Sequence, residues 1–105
     1  MTPSIPIPAD PRLQELIEKA RTDLAQRLAI SVNEIILLEA RSVTWPDSSL
    51  GCPQEGMGYM QVLTPGYLIK LEFSEQQFEY HAGTKTNVIY CENPTPPVPG
   101  MPLDT

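Results

Sequence analysis

The chain has 105 residues, 41% of them hydrophobic, with twelve prolines and a net charge of −6. That leaves room for one small core, and no segment approaches the ~20 consecutive apolar residues of a spanning helix. Beyond residue 41 seven acids face two bases, which excludes a phosphate-binding face: neither nucleic acid nor insertion into an anionic membrane is expected.

Met1–Ala9 has neither a basic start nor an apolar run fit for a signal peptide. The chain as written is therefore expected in the cytoplasm, with residues 1–9 a flexible tail. Asp10-Pro11 opens a helix, because Asp accepts from free N-terminal amides and Pro fits the first helical position. Leu13, Leu16, Ile17, Ala20, Leu24 and Leu28 recur at three- and four-residue spacing. Their single apolar stripe predicts a helix over Pro11–Leu28 packed on a sheet. Ala29–Asn33 turns the chain, and Glu34–Trp45 is a long strand by its β-branched and aliphatic content. Ile35–Leu38 is apolar at every position and belongs inside the sheet. The alternation does not assign Val43 and Trp45 to a face.

Thr44–Tyr67, TWPDSSLGCPQEGMGYMQVLTPGY, holds the lone tryptophan, one of the two cysteines, three prolines, four glycines and only two formal charges. Pro46 and Pro53 remove backbone freedom, Asp47 and Ser48 can cap local amides, and Trp45, Leu50 and Met57 supply apolar anchors. Trp45–Gly58 is therefore expected to be an ordered loop. Tyr59–Leu63 reads as a strand and Thr64-Pro65-Gly66 as a type II turn. Next, Tyr67–Phe73 alternates, with Tyr67, Ile69, Leu71 and Phe73 facing one way and Lys70 and Glu72 the other. Ser74-Glu75 is a tight connection. Gln76–Ala82 continues the pattern with Phe78 and Tyr80 inward and Glu79 and His81 on the opposite face, and Val88–Cys91 closes the sheet. The fold class is α+β: one N-terminal helix packed on a four- to five-stranded antiparallel meander, with residues 10–91 a single domain. Residues 92–105 form a Pro-rich tail of polyproline II character. Its PxxP spacings have no flanking base, which favours a draped or disordered tail over a ligand of SH3-type domains.

The chemistry-bearing residues are few. Cys52 follows the long strand and Cys91 ends the last one, so the two are expected within disulfide range; a bridge, two unrelated buried thiols and a metal site all remain open. A metal site wants four ligands, and two cysteines with one histidine and no CxxC pair do not supply them. No metal and no cofactor are expected. His81 could pair with Cys52 as base and nucleophile, with Asp47 orienting the ring. A hydrogen-bonded strand histidine is the simpler account. Trp45 and Tyr59 join an apolar body to a polar tip, as recognition surfaces favour. With Asp47, Leu50 and Met57 they make the candidate binding set. The function read from these residues is a non-enzymatic binding or assembly module that presents loop 45–58 to a protein partner, with inhibitor-like display as a variant. The alternative is a small thiol-dependent enzyme using Cys52 and His81.

The block TWPDSSLGCPQEGMGYMQVLTPGYLIKLE, followed by FEYHAG and VIYCE, resembles a small bacterial domain family of uncharacterised function. That family carries a WPDxSLGCPxPGxxYxQVxxxGYxIxLE-like block, then YxYH and a closing Cys. The resemblance spans Ala20–Glu92 and departs at Glu55, where the pattern has Pro. It implies no activity and no catalytic residue. Similar domains occur in exported or lipid-anchored chains, which implies a Cys52–Cys91 bridge and keeps an exported setting open.

Overall fold

Helix α1 spans Pro11–Leu28, and both ends follow from local chemistry. In the computed structural model, which describes residues 10–98, the Asp10 carboxylate accepts from the amides of Arg12 and Leu13, and Pro11 occupies the first turn. At the other end Ala29 adopts the left-handed conformation (φ 57°) and donates its amide to the carbonyls of Ala25 and Gln26. A 3₁₀ turn, Val32–Glu34, with a Ser31/Glu34 capping box then delivers the chain into the sheet.

Four strands follow: β1 Ile36–Trp45, β2 Thr64–Phe73, β3 Gln76–Gly83 and β4 Ile89–Cys91. They pair antiparallel in chain order, a four-stranded meander with the helix over one face. The apolar stripe of α1 (Leu13, Leu16, Ile17, Ala20 and Leu24) is buried against Leu37 and Ala40 of β1, Tyr67, Ile69 and Leu71 of β2, and Tyr80 and Ala82 of β3. Burial of this kind is worth roughly 1.5–3 kcal/mol for each large side chain. A bulge at Leu38 explains how Leu37 and Ala40 both face the helix although they stand three positions apart, which regular alternation would put on opposite faces. Beyond it, Glu39 stands opposite Lys70 and forms an ion pair of 3.7 Å on the other face. Among the described residues no helix is long and apolar enough to cross a membrane.

Four expectations need correction. The first strand begins at Ile36 rather than Glu34, because the capping box holds Val32–Glu34 in a helical turn. Tyr59–Leu63 is not a strand, and Thr64-Pro65-Gly66 is not a turn: all three residues lie in β2, paired with Val43–Trp45. Pro65 is tolerated because β3 pairs with β2 only from Gly66 onward, so the missing amide breaks no ladder bond on that side. Phe73 is half-buried at the strand end rather than part of the core.

Residues 92–98 lie against the sheet and loop, with the Thr95 amide donating to the Gly51 carbonyl (2.9 Å) and the Val98 amide to that of Thr44 (2.8 Å). The expected N-terminal tail, and the PxxP pairs that use Pro99 or Pro102, lie outside the described residues.

Candidate functional site

The sheet face away from the helix carries a second, smaller core, built where β1 hands over to the long loop. Trp45, the last residue of β1, points to that face and is 0% exposed. Its indole N–H donates to the Ala82 carbonyl at 3.2 Å. Its ring stacks on His81, with centroids 4.1 Å apart and planes 25° from parallel. Room for the indole comes from Gly66: a Cβ there would lie 2.1 Å from the Ala82 carbonyl oxygen and 2.8 Å from the Trp45 nitrogen. The loop backbone closes over the rings at Gly51 (φ +72°), where a Cβ would meet Trp45 at 2.6 Å and His81 Nδ1 at 2.9 Å.

His81 is also 0% exposed. Its Nδ1 donates to the Leu50 carbonyl at 2.7 Å, and its Nε2 lies 2.6 Å from Glu79 Oε2. Both ring nitrogens thus face oxygen acceptors. Cys52 Sγ lies 3.3 Å from His81 Nδ1. Cys52 is in turn disulfide-bonded to Cys91, with Cα atoms 5.4 Å apart. The pair thus lies within disulfide range, as its element-end positions predict. Cys52, Cys91, Arg27, Glu55, Tyr90 and Glu92 line an open cleft of about 520 Å³.

The loop is held by its own polar groups. The Asp47 carboxylate accepts from the Ser49 amide (3.0 Å) and hydroxyl (2.6 Å). Ser48 and Met60 exchange two bonds: the Ser48 amide donates to the Met60 carbonyl (3.0 Å), and the Met60 amide donates to Ser48 Oγ (2.9 Å). The Gln54 amide donates to the Tyr59 hydroxyl at 3.0 Å.

The candidate binding residues therefore divide. Trp45 is internal, Asp47 and Leu50 are half-buried supports, and Tyr59 is half-buried with its hydroxyl engaged by the loop. Met57 alone of the set is well exposed, at 59%. The outward apolar surface continues beyond it through Met60, Val62 and Leu63, at 70%, 49% and 64%. The sequence predicts those three on a strand, Tyr59–Leu63; the signal against it is a proline two residues past Leu63. Asp47, the orienting group of the thiol-enzyme reading, bonds Ser49 and not His81, and Glu79 takes the ring instead.

A family match covers residues 17–91, which take in most of α1 and the whole of the sheet and loop, and is described as a domain of unknown function, DUF8738. The chain belongs to the DUF8738 family. No curated protein and no solved structure matches it. The DUF8738 match agrees with the resemblance to an uncharacterised domain family.

Proposed function

We propose that this DUF8738 domain is a non-enzymatic binding module that displays the apolar segment Met57–Leu63 to a protein partner. The observation that carries the reading is the exposure of four large apolar side chains, Met57, Met60, Val62 and Leu63, within seven residues. An isolated exposed hydrophobe needs no explanation, whereas a run of them marks an interaction surface. Methionine suits such a surface because its flexible, polarizable side chain adapts to the groove it enters. Trp45, Leu50 and Asp47 support the display rather than touch the partner. The net charge of −6 disfavours nucleic acid and self-association and favours a partner with basic residues around an apolar groove.

What weighs against the thiol-enzyme alternative is that Cys52 is bonded to Cys91, which withholds the thiolate such chemistry needs. The same bond fits an exported, oxidising setting better than the reducing cytoplasm. The test is affinity capture with the intact protein against a Met60→Ser/Leu63→Ser variant, both checked for equal thermal stability. Loss of a captured protein by the variant supports the display surface; equal recovery by both removes it.

A further inference from the structure

The cluster Cys52, His81 and Cys91 belongs to neither the display surface nor the helix-side core. Its two sulfurs and the nearer histidine nitrogen lie within 4.8 Å of one another. A tetrahedral zinc-type ion with bonds of about 2.3 Å to sulfur and 2.0 Å to nitrogen holds such atoms about 3.5–3.8 Å apart. The Cys52 Sγ to His81 Nδ1 distance is already 3.3 Å. The Cα separation of 5.4 Å lets side-chain rotation part the sulfurs once their bond is reduced.

A second, independent feature points to the same ligand. Histidines that bind metals characteristically donate their other ring N–H to a carboxylate, which fixes the tautomer and aims the free nitrogen. Here Glu79 Oε2, 2.6 Å from Nε2, occupies that position and leaves Nδ1 facing the sulfurs. The stacked Trp45 ring holds the imidazole plane in place. Cys52 and Cys91 line the open cleft, which supplies an entry path and space for a fourth ligand.

We infer that the reduced form of this protein binds one thiophilic divalent ion of the zinc class through Cys52 Sγ, Cys91 Sγ and His81 Nδ1. The disulfide and the metal are alternative occupants of one site. Reduction by a dithiol transfers two electrons and two protons: the Cys52–Cys91 bond breaks, two thiols form, and the dithiol leaves as its own disulfide. Metal binding then displaces the protons of both thiols and of Nδ1, while Nε2 keeps its own proton and donates it to the Glu79 carboxylate. The ring gives up its bond to the Leu50 carbonyl in exchange for the metal.

The test is cobalt(II) titration of the full chain under anaerobic conditions with a phosphine reductant, beside the air-oxidised protein. Expected are one cobalt per chain, thiolate-to-cobalt charge-transfer absorption with tetrahedral visible bands, and displacement by zinc(II). The oxidised protein shows none of these. Cys91→Ser abolishes the charge-transfer band, and Glu79→Gln weakens binding about 10- to 100-fold with the band retained. Circular dichroism follows each sample. A reduced protein that keeps its helix and sheet but gives no tetrahedral spectrum overturns the inference. So does one that unfolds on reduction and is not refolded by the metal, or a Glu79→Gln variant that stays folded and binds as tightly as the parent.

Discussion

Gly66 decides whether the small core on the far side of the sheet can exist. A Cβ there would lie 2.1 Å from a backbone oxygen of β3 and 2.8 Å from the indole nitrogen, and neither group is the free end of a flexible side chain. Gly66→Ala is expected to cost about 3 kcal/mol or more, read as a fall in urea midpoint at unchanged slope. Trp45→Phe is milder: it keeps the stack on His81 but leaves the Ala82 carbonyl without its buried donor, a cost of about 1–3 kcal/mol. A larger loss for Trp45→Phe than for Gly66→Ala would reverse this order and remove the close-approach explanation. Neither role was readable beforehand. Pro-Gly has strong turn chemistry of its own, and only the pairing of Pro65 and Gly66 with Thr44 and Val43 overrides it.

Between elements, one polar cluster ties α1 to the sheet. The Tyr80 hydroxyl of β3 donates to Asp23 Oδ2 at 2.7 Å, Arg27 pairs with the same carboxylate, and its guanidinium lies 4.7 Å above the Tyr90 ring. Burial alone raises the Asp23 pKa, but the Arg27 and Tyr80 hydrogen bonds outweigh it and hold the carboxyl below its ordinary 3.8. Burial, then the Asp23 hydrogen bond, pushes Tyr80 upward. The depressed carboxyl contributes stability in full above pH 3.8, and the contribution is lost as pH falls through the lowered value. Tyr80→Phe should therefore flatten the loss of stability below pH 4, measured by urea unfolding across pH 2–5; an unchanged acid limb would dissociate Tyr80 from Asp23. The loop carries its own expectation: the hydrogen-bonded amides of Ser48, Leu50 and Cys52 should exchange with solvent more slowly than that of Gly58. Helix and strands were largely readable here, because cap residues, a 3.6-residue stripe and strict alternation act locally. The Leu38 bulge was not, nor were the partners of Trp45, His81 and Gly66, since each depends on contacts between residues far apart in the chain.

For the molecule as a whole, the disulfide joins the far-side loop to the last strand across 39 positions. In the chain-entropy model such a link is worth about 4 kcal/mol, a large share of what a domain of this size can muster. Cys52→Ser/Cys91→Ser is expected to lower stability by about 2–4 kcal/mol and leave the helix-side core intact; an unchanged urea midpoint would show that the link adds nothing. The proximity of Cys52 and Cys91 was foreseeable from element ends alone, whereas their contact with His81 was not, because a side chain on the outer face of β3 has no reason in sequence to be buried. Together the disulfide, the Trp45–His81 stack and the Thr95–Gly51 bond fix the base of a loop whose far arm exposes Met57, Met60, Val62 and Leu63. Quantitative affinity capture bears on that display most directly, comparing the intact protein with Met60→Ser/Leu63→Ser at matched stability. At least one protein partner should be depleted tenfold or more by the double substitution. Equal recovery of every partner by the two proteins would contradict the display surface.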